Sequence, residues 1–83
     1  MGKHDKIRQR ICDGASDANI PFDDLCSMLT HLGFHCRRRG GSHHIFTREN
    51  IREILNLQPG PNGKSKPYQV KQVRAVLKNY RIQ

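Results

Sequence analysis

The feature that most constrains the fold is a change of hydrophobic period at Gly33. Before it, four apolar residues recur at intervals of three and four: Phe22, Leu25, Leu29 and Leu32. This spacing predicts a helix with one buried face, which Pro21 opens and Gly33 ends as a C-terminal cap. After Gly33, residues 34–39 begin with alternating apolar and polar side chains, and residues 43–47 are rich in β-forming side chains. This pattern predicts two strands joined by a tight turn at Gly40-Gly41.

The rest of the chain adds helices on both sides of this unit and one more strand. Residues 3–12 predict a short leading helix, with Ile7 and Ile11 on one side, and residues 52–57 predict a third strand. Residues 68–80 predict a final helix whose apolar face consists of Val70, Val73, Leu77 and Tyr80. The predicted order is (α)-α-β-β-β-α, an α+β fold in which helices cover one face of a three-stranded antiparallel sheet. Double-stranded RNA-binding domains have this two-layer layout, and we expect a single domain over residues 1–83.

The net charge of +8 is concentrated in the later part of the chain. The chain carries four basic and five acidic residues up to Asp24, but eleven basic and two acidic residues from Leu25 onward. Lys and Arg that contact phosphates release condensed counterions, so this asymmetry favours a nucleic acid as the partner. An acidic partner protein would suit the same surface, and a basic surface that only aids solubility is the remaining alternative.

Cellular location is predicted from the absence of targeting signals and from the cysteines. The chain has no apolar run of transmembrane length, and no signal-peptide core follows its charged start, MGKHDKIRQR. An odd number of widely spaced cysteines (Cys12, Cys26 and Cys36) predicts reduced thiols. We therefore expect a cytoplasmic protein that does not enter a membrane. The cysteines and histidines of residues 26–36 lack the ligand spacing of known zinc sites, so no metal site is predicted.

The most informative stretch is RRRGGSHHIFT, residues 37–47, because it places two histidines between a basic run and a strand. Neighbouring residues of a strand point to opposite faces, so His43 and His44 cannot share one. Phe46 is predicted to be a core residue, and His44 is on its side of the strand. His43 is therefore predicted to point outward.

A histidine beside this basic run can do acid–base chemistry on a bound polyanion. Imidazole titrates close to neutral pH and can move the protons of the reaction without a metal ion. Guanidinium and ammonium groups can stabilise the extra charge on phosphorus, and Gly40 and Gly41 let a phosphate approach the backbone. The alternative is that both histidines belong to a basic patch that binds nucleic acid without chemistry.

Three segments resemble the HicA toxins of bacterial toxin–antitoxin pairs. They are Leu32-Gly33-Phe34 at the helix end, Gly41-Ser42-His43-His44-Ile45-Phe46 in the second strand, and the final stretch Val70–Ile82. The resemblance implies a double-stranded-RNA-binding-like fold, a small ribonuclease that acts on mRNA, and inhibition by a HicB-type antitoxin. The first histidine of the family's G-S-H motif matches His43. Many members have a proline–histidine pair after the third strand, which this chain lacks, and segment 1–20 is interpreted as a variable helical extension.

Residues and resemblance together predict an endoribonuclease toxin with mRNA and a HicB-like antitoxin as partners, and with no metal or other cofactor. His43 is predicted to be the catalytic residue, with His44 as second choice. The residues predicted to bind RNA are Arg37, Arg38, Arg39, Gly41, Ser42, Lys64, Lys66, Lys71, Arg74 and Lys78. The alternative is a non-catalytic RNA-binding module of the same fold. The few aromatic residues, most of them on core stripes, argue against recognition of a specific single-stranded sequence.

Overall fold

In a computed structural model, which describes residues 2–82, the chain forms an α+β fold with the predicted order α-α-β-β-β-α. The helices are α1 (Lys3–Asp13), α2 (Phe22–His31) and α3 (Pro67–Asn79). The strands are β1 (His35–Arg39), β2 (His43–Thr47) and β3 (Leu55–Leu57). Short 3₁₀ helices span Asp17–Asn19 and Pro61–Gly63. Within the described residues, no helix combines the length and the apolar character needed to cross a membrane.

The sheet is antiparallel, in the order β1-β2-β3. Arg39 pairs with His43 at the closed end of the β1–β2 hairpin. The turn between them contains Gly40 and Gly41, whose φ angles are 50° and 70°. Non-glycine residues rarely adopt such angles, which explains the glycine pair. A Cβ built on either glycine would meet no atom within 4 Å, so this turn is open to an approaching ligand.

Helix α2 ends at Gly33, as its sequence predicts. Gly33 has a φ of 93°, and the amide of Phe34 donates to the carbonyl of Leu29 at 3.0 Å. The left-handed residue and the bond that spans it form a Schellman cap, which satisfies a carbonyl at the helix end and redirects the chain into β1. One member of the predicted stripe differs: Leu32 is only half-buried, and Met28 is fully buried in the core.

All three helices and the sheet contribute to one hydrophobic core. Its most deeply buried members include Ile11, Ile20, Leu25, Met28, Leu29, Phe46, Leu57, Val70 and Val73. Along β3, Leu55 and Leu57 are buried while Asn56 is exposed, so the helices cover one face of the sheet and leave the other open. The leading helix is part of this core through Ile7 and Ile11, and Arg8 of α1 donates to the carbonyl of Ile82 at 3.2 Å.

The third strand is shorter than predicted. The sequence predicts it over residues 52–57, but only Leu55–Leu57 pairs with β2. The backbone amide of Arg52 lies 3.4 Å from the hydroxyl of Tyr80 and takes no part in the ladder. The pairing with β2 ends at Leu55, which lies opposite Phe46, so residues 52–54 are outside the ladder.

The sequence predicts Tyr80 on the apolar face of α3, and this prediction is wrong. Helix α3 ends at Asn79, so Tyr80 leaves the helical stripe and is 38% exposed. Its hydroxyl donates to Oε1 of Glu53 at 2.6 Å. This hydrogen bond raises the pKa of Tyr80, because ionisation would remove the proton that the phenol donates to Glu53.

Candidate functional site

The two adjacent histidines of β2 point to opposite faces of the sheet, as the strand alternation predicts. His43 is exposed on the open face. His44 is half-buried on the other face, where its ring meets the ring of Phe22 edge-on, with 5.0 Å between centroids. Nδ1 of His44 lies 2.8 Å from the carbonyl oxygen of Ser42, and because a carbonyl only accepts, Nδ1 is the protonated nitrogen. Packing and a hydrogen bond therefore both hold His44.

His43 is oriented by Asn56, a residue that sequence reasoning missed. Nδ1 of His43 lies 3.3 Å from Oδ1 of Asn56. An amide oxygen only accepts, so Nδ1 donates in this contact, and in the neutral ring the lone pair is then on Nε2. Asn56 reaches the open face because it pairs with Ile45 on the neighbouring strand. The exposed Nε2 can therefore accept a proton from a bound substrate.

The strand register divides the arginine run between the two faces of the hairpin. Arg39 is directly opposite His43, and Arg37, two residues away, is on the same open face. Arg38 is opposite His44 and lies on the other face. All three arginines are exposed, but only Arg37 and Arg39 share a surface with the exposed histidine.

A chain of hydrogen bonds connects the loop before α3 to the hairpin turn. Nζ of Lys66 donates to Oε1 of Gln58 at 3.1 Å, and Nε2 of Gln58 donates to Oγ of Ser42 at 3.1 Å. The sequence does not indicate a role for Gln58, yet its side chain connects two predicted RNA-binding residues, Ser42 of the G-S-H motif and Lys66. Lys64, also predicted to bind RNA, is half-buried, and its backbone forms an isolated bridge with Pro21.

Of the predicted cations of α3, Arg74 is held by contacts with α1 and the segment after it. Nη1 of Arg74 is 2.9 Å from Oδ1 of Asp17 and 3.1 Å from the carbonyl oxygen of Ile11. The prediction groups Arg74 with the RNA-binding residues, but this partly buried ion pair occupies its guanidinium. Lys71 and Lys78, three residues before it and four after it, are exposed on the same side of the helix.

An open cavity of about 250 Å³ lies beside the exposed histidine, between β3 and the first turns of α3. It is lined by His43, Ile54, Asn56, Gln58, Tyr68, Gln69 and Gln72. The three phenylalanines of the chain are buried, but both tyrosines are exposed. The aromatic ring of Tyr68 therefore lines the same cavity as His43, although the sequence predicts no aromatic ring near this histidine.

The cysteines form no part of this site. Cys12 and Cys26 are half-buried, Cys36 is exposed, and all three are free thiols. Burial raises the pKa of the Cys26 thiol to about 12, so the thiolate that a metal ion requires is disfavoured there. Among residues 2–82, no three His, Cys, Asp or Glu side chains are grouped in a way that could hold a metal ion.

Comparison with known protein families gives a match over most of the chain. A family model described as the HicA toxin of bacterial toxin–antitoxin systems matches residues 22–80. The matched segment begins with α2, includes the whole sheet and ends just after α3, so it contains the hairpin, Asn56 and the cavity. Helix α1 precedes it. No curated protein and no solved structure gives a significant match.

Proposed function

The chain belongs to the HicA toxin family of bacterial toxin–antitoxin systems, and on that premise we propose that it is an endoribonuclease that cleaves mRNA with His43 as its catalytic residue. Family membership also implies an antitoxin as partner. One observation carries the catalytic proposal: His43 is exposed, its Nδ1 faces Asn56, and its Nε2 is left for the substrate.

The proposed reaction uses the ribose 2′-oxygen as the nucleophile. That oxygen attacks the adjacent phosphorus while Nε2 of His43 takes its proton. The bond between phosphorus and the 5′-oxygen breaks, and the 5′-oxygen takes a proton from water. The products are a 2′,3′-cyclic phosphate and a 5′-hydroxyl end. Imidazole suits this step because its pKa in water is close to neutral pH, and the hydrogen bond to Asn56 keeps Nε2 as the basic nitrogen.

The cations on the open face supply electrostatic stabilisation. The phosphorus gains negative charge as the 2′-oxygen attacks, and positive groups fixed nearby lower the energy of that state. Arg39 lies directly across the hairpin from His43, with about 4.5–5.5 Å expected between the Cβ atoms of such a pair. Arg37 and Lys66 extend the positive surface along the path of the RNA backbone, where they would bind neighbouring phosphates.

We propose a HicB-like protein as the antitoxin. A partner that neutralises this toxin through the open face needs acidic groups opposite Arg37, Arg39 and Lys66. Complementary charge speeds the association of such proteins and fixes their relative orientation. The same cations would then serve the RNA and the antitoxin in turn, and binding of one would exclude the other.

Cleavage of RNA by the purified protein in the presence of EDTA tests the proposed function. We expect 2′,3′-cyclic phosphate ends from the wild type, and a cleavage rate lower by about 10²–10⁴-fold for His43→Ala, because one acid–base group is removed. The His43→Ala protein should keep its melting temperature and most of its RNA affinity, since the lost ring is exposed and the cations remain.

His44→Ala is the matched control, because it removes the same ring from the other face of the same strand. We expect its surviving folded fraction to cleave RNA at close to the wild-type rate. In bacteria, induced expression of the wild type should stop growth, co-expression of the adjacent antitoxin gene should restore it, and His43→Ala should be tolerated. An inactive but fully stable His44→Ala would exchange the two roles. A wild type that binds RNA without cleaving it would establish the RNA-binding module instead.

A further inference from the structure

We propose that the cavity beside His43 is a nucleobase pocket, which holds one base of the RNA next to the bond that is cleaved. This proposal rests on the proposed ribonuclease function and adds a source of sequence preference to it. Tyr68 and Ile54 would contact the faces of the base, and the amides of Asn56 and Gln72 would contact its edges.

The first argument is the exposure of the apolar walls. Ile54 is 65% exposed and Tyr68 is 59% exposed, which makes them the two most exposed large hydrophobic side chains of residues 2–82. Both line the same cavity as His43. A single exposed apolar side chain is ordinary, but two beside an ionisable group mark a surface that a ligand covers. A planar base buries apolar area against an aromatic ring, and every base has a face that can stack.

The second argument is the polar chemistry of the cavity. Oδ1 of Asn56 faces His43, so its Nδ2 remains to donate to a ligand. Gln72 is exposed one turn after Tyr68 on α3 and also lines the cavity. Amide groups offer a donor and an acceptor side by side, which is the pattern needed to bind the edges of unpaired bases. The pocket should therefore favour some bases over others.

The third argument is that this pocket is held open before any ligand binds. Gln69 is 5% exposed, and its side chain joins α3 to the free edge of β3. Its Oε1 accepts from the amide of Gln58 at 3.0 Å, and its Nε2 donates to the carbonyl of Asn56 at 3.3 Å. The Gln69 side chain thus satisfies two backbone groups of β3 and the residue after it that a further strand would otherwise bind. These bonds fix β3 to α3 and pre-organise the floor of the cavity.

The charge distribution favours a base over an acidic protein segment as the occupant. The lining contains no Lys, Arg, Asp or Glu, whereas Arg37 and Arg39 lie outside it along the hairpin. Phosphates and acidic side chains would bind to those cations, and an uncharged ring system fits between them. The volume of about 250 Å³ is below the range of about 300–1,000 Å³ typical of drug-sized ligands, which suits one base.

A double-mutant cycle between the protein and the RNA tests the pocket. The probes are short RNAs of one cleavable sequence, each with a single abasic ribose at a different position. For the wild type we expect one position next to the cleaved bond at which the abasic site lowers kcat/KM by roughly 5- to 150-fold, the range of a lost stacking contact. Tyr68→Ala should lower kcat/KM on the intact RNA by a similar factor and should lose its sensitivity to that one abasic site, because the two changes remove the same contact.

The other variants separate stacking from a general loss of activity. Tyr68→Phe should behave like the wild type, since the ring remains. Gln72→Ala should keep the response to the abasic site but reduce the difference in rate among the four bases at that position. Tyr80→Ala is the control, because it removes the other exposed tyrosine, which lines no part of this cavity. Melting curves of each variant verify that it is folded.

The same cycle measured by RNA affinity in the His43→Ala background separates the two proposals. A wild-type protein that cleaves no RNA would overturn the proposed function. Coupling between Tyr68 and one abasic site in the affinity assay would still establish the pocket in that case. Additive effects at every position would overturn the pocket while leaving the nuclease intact. A Tyr68→Ala protein that keeps its RNA preferences but loses its antitoxin would assign this surface to protein binding instead.

Discussion

The helical pair α1–α2 and the β1–β2 hairpin are close to each other in the chain but differ in how they are held. The helical pair contributes Ile7, Ile11, Leu25, Met28 and Leu29 to the core. In contrast, all five residues of β1 are exposed, and β2 buries only Phe46. The helices therefore carry the hydrophobic stabilisation, and the hairpin carries the charged and ionisable side chains.

This difference teaches how a small domain can support a reactive surface. The hairpin is held by its backbone ladder, by Phe46, and by side chains from outside it, namely Asn56 and Gln58. Its open face is free to carry arginines and a histidine because no side chain there is required for the core. Stability and chemistry should therefore respond to different substitutions, and the free energy of unfolding is the quantity that tests this separation.

The largest effect on unfolding is expected in the helical layer. Leu29 is fully buried on α2, so Leu29→Ala should lower the free energy of unfolding by about 2–5 kcal/mol through lost transfer free energy and a cavity. Chemical denaturation measures this. Leu32→Ala, on the same stripe but half-buried, is the matched control and should cost less. Equal, small losses for both would show that α2 does not carry the core as described.

A smaller effect is expected from the ion pair that joins α3 to the segment after α1. Arg74→Met removes the hydrogen bonds to Asp17 and Ile11 while keeping an apolar stem, and should cost about 1.5–3 kcal/mol, the range for hydrogen bonds to charged groups that are partly buried. Lys71→Met, three residues earlier on the same helix, should change stability by less than about 0.5 kcal/mol. Denaturant midpoints compare the two variants, and a neutral Arg74→Met would return this arginine to the candidates for RNA contact.

A still smaller effect is expected on the covered face of the hairpin. His44→Ala loses an edge-on contact with Phe22 and the hydrogen bond to Ser42, each of which contributes on the order of 1 kcal/mol. His43→Ala, its neighbour on the open face, should leave the melting temperature nearly unchanged. Thermal melts of the two variants, measured together, show which histidine contributes more to stability. If His43→Ala were the less stable of the two, the assignment of faces would be reversed.

The sequence predicts the elements of this fold well because its local signals are strong. The stripe of α2, the cap at Gly33 and the glycine turn of the hairpin each follow from residues close together in the chain. The structure confirms the cap and the turn, and it confirms the stripe except for half-buried Leu32. The opposite orientation of His43 and His44 follows from strand geometry in the same way. These features depend on backbone period and on φ preferences, which a single sequence reveals.

The site beyond the histidines depends on contacts between distant segments, which one sequence does not reveal. Asn56 orients His43 only because the register places it opposite Ile45. Tyr68 reaches the cavity because α3 begins beside β3. Arg74 looks like one cation of a basic helix face, and only the packing of α3 against residues 17–19 shows its ion pair. The period of α3 separates Arg74 from the core but does not identify its partner.

The smallest effect on folding is expected for the open face of the hairpin, where the effect on RNA binding should be clear. The double variant Arg37→Gln, Arg39→Gln removes two exposed cations and should change the free energy of unfolding by less than about 0.5 kcal/mol. If both arginines contact phosphates of single-stranded RNA, the slope of log affinity against log salt should become shallower by about 1.4, or about 0.7 for each contact. Fluorescence anisotropy in the His43→Ala background measures binding without cleavage. The matched control is Lys71→Gln, Lys78→Gln, which removes the same charge from exposed positions on α3. Because those lysines belong neither to the hairpin nor to the lining of the cavity beside His43, we expect their loss to alter the slope much less. Equal changes in slope for the two pairs would show that RNA also contacts α3, and that RNA binding is not confined to the hairpin face.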